Sequence, residues 1–224
     1  MKTNYARNLP HILPIGATFF ITFSIYGSIP KEKIQQLQQE RNAKMNILRE
    51  ENSINLKENL DIAQKQYFQK VDAVLDSVEF GEKYLSNPQA ALIVANKIHQ
   101  YNGQYYSLLA FCIMPNHVHL LFDLYLQSEK IPTQEEVTDK NYKQIYDIMQ
   151  LIKGGSAYQV NKVLGRLGRF WQVESYDRYV RNIRELQNIV MYIANNPKKA
   201  GLVNHWRDFS FTYIREEYQY LLPE

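Results

Sequence analysis

One cysteine, Cys112, stands among 224 residues, which excludes an internal disulfide. It sits in an apolar run and reads as a small buried hydrophobe. No apolar stretch approaches the roughly 20 residues that a membrane-spanning helix needs. The opening MKTNYARNLPHILPIG is broken by prolines and lacks the apolar core of a signal peptide. A cytoplasmic protein with no membrane partner is the expectation. Charge of one sign is also scarce. The formal net charge is only +3, so overall charge alone does not point to a nucleic-acid partner. Histidine is rare as well, at five residues, so any close grouping of histidines merits inspection.

What is present fits a globular protein. Hydrophobic residues make up 45% and charged residues 22%, enough for a core of useful size. The length suits one domain with embellishments, and residues 1–224 are read as one. Seventeen tyrosines are more than a core would absorb, so many should lie near the surface, where a phenol both stacks and hydrogen-bonds. The charge is unevenly spread. Between Lys153 and Arg207 ten basic residues face three acidic ones, which leaves the remainder net acidic and marks a basic binding half.

Residues 17–23 read as a first strand, rich in Phe, Ile and Thr. After Pro30 the chain turns polar. Residues 31–55 suggest an exposed helical excursion, and 56–79 show a firmer helical pattern through Leu56, Leu60, Ala63, Tyr67, Val71, Val74 and Val78. The excursion thus covers about 31–80. Its apolar stripe reads as a helix packed on a sheet, with a DNA-contacting or dimer-forming arm as the other option. Asn87-Pro88 starts a helix that runs to about Gln100. Strands are expected over 105–112 and 117–124, joined by a tight turn at Met114-Pro115-Asn116. A polar loop spans 127–141. A helix over 142–152 is interrupted at Gly154-Gly155 and resumes over 156–164. An irregular strand covers 171–180. Asn182 caps a last helix, with Glu185 three residues on, and Pro197 ends it.

Two pieces carry chemistry. In His117-Val118-His119 the two histidines lie two apart on a strand, so both imidazoles project from one face. Neighbouring imidazoles are a natural pair of metal ligands, although the pair alone also fits two ordinary strand histidines. On the last helix, Tyr192 and Asn196 are four apart and share a face on the flank of the apolar stripe. Asn196 offers a neutral amide oxygen as a third ligand. Tyr192 by itself equally fits a tyrosine on a half-buried helix edge.

Together these pieces resemble a known family. The stretch Ala110-Phe111-Cys112-Ile113-Met114-Pro115-Asn116-His117-Val118-His119-Leu120-Leu121-Phe122 resembles the HUH motif region of REP-associated tyrosine transposases, relatives of the smallest single-tyrosine insertion-sequence transposases. Phe170-Trp171-Gln172, Ser175-Tyr176-Asp177 and the run from Tyr192-Ile193 through Asn196-Pro197 to Ala200-Gly201-Leu202-Val203 are similar to the family's C-terminal signature. The likeness covers about residues 14–24 and 88–207, and the excursion at 31–55 is longer than the family pattern provides for. The resemblance implies an α+β fold: a ferredoxin-like antiparallel sheet with helices packed on it, here with a helical insertion after the first strand. It also implies a divalent ion, Mg²⁺ or Mn²⁺, held by His117, His119 and Asn196, with Tyr192 as the nucleophile.

The implied activity is metal-dependent nicking and rejoining of single-stranded or hairpin DNA through a 5′-phosphotyrosine, by a monomer or homodimer. The alternative is a regulator that keeps the fold and binds hairpin nucleic acid without cleaving it. Trp171 and the tyrosines would stack on bases. Lys153, Lys162, Arg166, Arg169, Arg178, Arg181 and Arg184 would contact phosphates.

Overall fold

A computed structural model describes residues 4–6, 10–12, 14–51, 55–129, 131, 136–138 and 140–222, with side chains from residue 14 onward. A short antiparallel hairpin, β1 (Asn4–Ala6) and β2 (Pro10–Ile12), precedes the main sheet. That sheet holds β3 (Thr18–Ser24), β4 (Ser107–Ile113), β5 (His117–Asp123), β6 (Tyr176–Tyr179) and β7 (Thr212–Ile214). Their spatial order is β6-β3-β5-β4-β7, and every pairing is antiparallel. Helices α3 (Pro88–Gln100) and α5 (Ile145–Val163) connect β3 to β4 and β5 to β6. Two strand–helix–strand halves with the first four strands interleaved make the ferredoxin-like arrangement that the resemblance implies. Helix α6 (Ile183–Lys199) follows β6.

Alternation within the strands sorts the core into two layers. Phe19, Ile21 and Phe23 of β3 and Val118, Leu120 and Phe122 of β5 pack toward α3 and α5. Phe20 of β3 and Leu121 of β5 face α6, where Ile189, Val190 and Ile193 cover them. Burying each such side chain contributes about 1.5–3 kcal/mol. Strand β5 lies between β3 and β4 and is covered on both faces, so anything polar on it is withdrawn from bulk water.

The insertion is a pair of helices, α1 (Lys31–Glu50) and α2 (Leu56–Asp76), placed between β3 and α3. The apolar stripe of α2 packs chiefly on α1 and on Tyr176 of β6, through Tyr67, Phe68, Val71 and Leu75, with Leu37 on the α1 side. It forms a small cluster of its own rather than covering the sheet broadly.

Several expectations are corrected. Helix α5 runs unbroken through Gly154-Gly155. A glycine pair lowers helix propensity by only about 1 kcal/mol per residue, which packing readily outweighs. A Cβ at Gly155 would lie 2.9 Å from Lys97 Cε, so the missing side chain admits α3 closely. Pro197 lies inside α6, which continues to Lys199. The bond from Ala200 N–H to Asn196 O closes the last turn around it. Only 176–179 of the strand expected over 171–180 is regular, with an isolated bridge from Trp171 to Ile25. Tyr125–Ser128 forms a short helical turn, α4, and the loop expected over 127–141 lies partly outside the described residues.

Candidate active site

The two histidines of β5 stand on its α6-facing side, opposite Thr22 and Ser24 of β3. Both are fully buried. His117 Nδ1 lies 2.7 Å from Asn116 Oδ1, and His119 Nδ1 lies 2.9 Å from Thr22 Oγ1. An amide oxygen only accepts, so His117 carries its proton on Nδ1. Both Nε2 atoms point inward, 3.0 Å apart. Burial pushes His117 down to about 4, against the opposing pull of Asp76, which keeps the ring neutral near pH 7.

Helix α6 brings Tyr192 and Asn196 to the same point. Its start is fixed by Asn182, whose side chain accepts from the Glu185 N–H at 2.9 Å. Tyr192 Oη lies 3.5 Å from His119 Nε2, with the ring edge-on to Phe20 and Lys199 Nζ 5.3 Å from its centroid. Asn196 Nδ2 lies 3.1 Å from His119 Nε2, while its Oδ1 is buried with no partner. A half-turn about the amide bond axis exchanges these two atoms. It would aim the orphaned oxygen at the histidine nitrogens.

A residue that sequence reasoning missed completes the cluster. Asp76, the last residue of α2, accepts from Tyr192 Oη at 2.8 Å and from Asn196 Nδ2 at 2.9 Å. Its Oδ1 lies 3.3 Å from His117 Nε2 and 3.2 Å from His119 Nε2. A carboxylate is unfavourable at a helix C-terminus, where the dipole is negative, so these contacts must compensate. Burial would raise the Asp76 carboxyl, but the His117 and His119 imidazoles beside it outweigh that and hold the group well below the usual carboxylate range. One turn earlier, burial pushes Asp72 up to about 6, opposed by His119 and aided by Asp76. Burial, then the charges of Asp72 and Asp76, raise the Tyr192 phenol well above its ordinary value.

Asp76, His117 and His119 have the donor set and closeness of a metal site. Two nitrogens 3.0 Å apart suit one ion bonded to each at about 2.1 Å with a right angle between them. Asn116 and Thr22 orient the rings from behind, as outer partners of metal-bound imidazoles do. The unpartnered Asn196 oxygen supplies a further candidate ligand.

The expected DNA-contacting residues do not form one surface. Arg178, Arg181 and Arg184 line a groove of about 1400 Å³ between α1/α2 and α6, with Tyr192 and Asp76 in its wall. Within it Arg178 pairs with Glu185 at 3.0 Å and Arg181 with Asp61 at 2.9 Å. Lys153 bonds Val173 O and Ser175 Oγ beside a separate cleft. Lys162 is exposed on α5. Arg166 is tied to Asn161 Oδ1 and stacked over Tyr84, and Arg169 lies over the Tyr26 ring. Trp171 is corrected outright. It is 5% exposed, edge-on to Phe23 and Phe170, with its indole N–H on Ser156 Oγ at 3.0 Å, so its ring faces are spent in the core. Among the described residues, no helix is long and apolar enough to cross a membrane.

No family model matches the chain. Over 112 residues it is 25% identical to a Haemophilus influenzae protein provisionally named a REP-associated tyrosine transposase; the match covers 50% of this chain. The match spans 61% of that relative's length. A solved structure of a REP-associated tyrosine transposase bound to a REP hairpin aligns over 93% of this chain and 80% of its own, at 16% identity and a TM-score of 0.48. The chain resembles REP-associated tyrosine transposases, as its motifs imply.

Proposed function

We propose that this chain cleaves and rejoins single-stranded DNA beside a hairpin, with Tyr192 as nucleophile and a divalent ion, Mg²⁺ or Mn²⁺, assisting. One observation carries the reading. The Tyr192 hydroxyl is 2.8 Å from a carboxylate that also touches both inward-turned histidines, so nucleophile and ligand cluster form one site. The hairpin form of the substrate comes from the family resemblance.

His117, His119 and Asp76, with the amide oxygen of Asn196, would hold the ion. When bound, it supplies positive charge that offsets the carboxylates and polarises the scissile phosphate. Imidazole ligands favour Mn²⁺ in affinity. Tyr192 Oη forms a bond to phosphorus while the bond from phosphorus to the 3′ oxygen breaks, and that oxygen takes a proton from water and leaves as a hydroxyl. Asp76 Oδ2 accepts the phenol hydrogen bond at 2.8 Å and orients the hydroxyl, whose proton passes to water. The freed 3′ hydroxyl can attack the phosphotyrosine in turn, so rejoining needs no external energy source. Phe20 stacks on the His119 ring at 5.6 Å and meets Tyr192 edge-on, keeping both from turning away.

The raised proton affinity of Tyr192 favours a second reading, a regulator that binds hairpin nucleic acid without cleaving it. One experiment separates the two. Labelled hairpin DNA with a single-stranded flank is incubated with the protein and Mn²⁺, then run on a denaturing gel. A labelled band at protein mass, absent with Tyr192→Phe, supports cleavage. Retarded DNA on a native gel with no denaturation-resistant band leaves binding alone.

A further inference from the structure

The α1/α2 pair, whose 31–55 stretch is longer than the family pattern provides for, forms one wall of the groove that reaches Tyr192. The groove follows the whole of α2. Lys57, Asp61, Lys65, Phe68, Asp72 and Asp76 line it at three- and four-residue steps, so one face of the helix is turned to it from end to end. From Leu56 to Asp76 that face is about 30 Å long. The opposite wall is the end of β6 and the start of α6.

Lys57, Lys65, Arg178, Arg181, Arg184 and Lys199 line the groove beside its carboxylates, and Asp76 at the end of α2 is the carboxylate bonded to Tyr192. The ion pairs that span the walls, Arg181 with Asp61 and Lys65 with Glu185, are partly exposed. Such pairs are weak and screened, and a phosphate can replace the carboxylate as acceptor. Lys57 and Arg184 are exposed, and among the described residues neither pairs with a carboxylate. Two cations on the lining of one groove, without carboxylate partners among the described residues, ask for an anion, and a linear one fits a linear groove.

We propose that this groove is a channel for single-stranded nucleic acid, in which the insertion helix α2 guides the sugar-phosphate backbone to Tyr192. The channel rests on the reading of Tyr192 as the nucleophile, and it gives the insertion a role. At about 3.4 Å per stacked nucleotide it holds fewer than about nine nucleotides. Affinity comes from backbone phosphates, so the channel reads little sequence.

The test uses a labelled nine-nucleotide deoxythymidine strand, with affinity followed by fluorescence anisotropy from 50 to 300 mM salt. It is run on full-length Tyr192→Phe protein, so binding is scored without covalent capture. Lys57→Glu with Arg184→Glu should weaken binding at least tenfold at low salt. The slope of log affinity against log salt should shrink by about 1.4, since each single-strand phosphate contact contributes about 0.7. The neutral pair Lys57→Gln with Arg184→Gln should fall between. Lys31→Glu with Lys83→Glu, outside the groove, makes the same change in net charge and should cost less than threefold. An unchanged affinity and slope in the groove variants overturns the channel, as does an equal loss from the two reversed pairs. Failure of Tyr192 to form an adduct in the wild type would overturn the cleavage reading while leaving this binding result standing.

Discussion

Asp76 Oδ2 accepts the hydroxyl hydrogen bond of Tyr192 at 2.8 Å, so the end of an inserted helix is tied to a tyrosine that faces the histidine pair. The same carboxylate reaches Asn196 and both imidazoles. Four elements, β5, β3, α6 and α2, therefore meet at one polar point within an apolar interior. Such a point is costly unless every group is matched, and a cation between the nitrogens would match it better than the protein atoms do.

Tyr192→Phe tests the nucleophile. It removes one oxygen and leaves the edge-on contact with Phe20 in place. Adduct formation should fall below detection, while hairpin binding stays within about twofold. Thermal stability should change by no more than about 1–2 kcal/mol, since Asp76 keeps its other donors. An adduct of undiminished yield would move the nucleophile elsewhere, and Tyr176, buried against Tyr67 and Phe68, is poorly placed to replace it.

Metal should stabilise the fold measurably. An ion that binds only the folded chain adds about 2.7 kcal/mol at a hundredfold excess over Kd. Mn²⁺ should therefore raise the melting temperature of the wild type by several degrees. His117→Ala and His119→Ala should each abolish the rise, and Asp76→Ala should reduce Mn²⁺ affinity by at least tenfold. Calorimetric titration gives the affinities. A wild-type response in Asp76→Ala would make Asp76 a tether of α2 rather than a ligand.

The origin of each member of this cluster explains what the sequence could show. His117 and His119 were legible because strand alternation assigns both to one face whatever surrounds them. Tyr192 and Asn196 were legible because the Asn182 cap fixes the phase of α6. Asp76 was not. It closes an ordinary amphipathic helix about forty residues before the histidines, and only the docking of α2 over Tyr176 brings it near them. Trp171 misled for a related reason: a tryptophan suits a stacking platform and a core equally well, and the partner that decides, Ser156, lies on another element. The continuity of α5 through two glycines is likewise a matter of packing that propensity cannot reveal.

Trp171 gives a stability prediction. Trp171→Ala should destabilise the protein by about 3–5 kcal/mol through the cavity left among Phe23, Phe170 and α5. Trp171→Phe should cost far less, since Ser156 Oγ retains its bond to Ile152 O. Urea unfolding measures both. If Trp171→Phe keeps the fold and binds single strands with undiminished affinity, the ring is confirmed as core rather than contact surface.

Asn196 gives the sharpest test of how the cluster is wired. Its Nδ2 donates to Asp76 Oδ1 at 2.9 Å, and its Oδ1 has no partner. Asn196→Asp would set two carboxylates against each other at that distance. Without metal, one must hold a proton or the helices must part, because like charges so close resist joint ionisation. The ion-free protein should therefore lose about 1–3 kcal/mol of stability at neutral pH. With Mn²⁺ the extra oxygen becomes a charged ligand, so affinity should equal or exceed the wild type's, and the melting rise on adding Mn²⁺ should be larger. Cleavage should still drop, since added negative charge weakens the ion's pull on the phosphate. Asn196→Leu removes the buried orphan oxygen but also the donor to Asp76, so the ion-free protein should lose about 1–3 kcal/mol as well, and here Mn²⁺ affinity and adduct yield should fall together. Scanning calorimetry with and without Mn²⁺, run on both variants, reads all of this. If the two variants show the same Mn²⁺-induced rise as the wild type, residue 196 does not touch the ion, and the site is one of two histidines and Asp76.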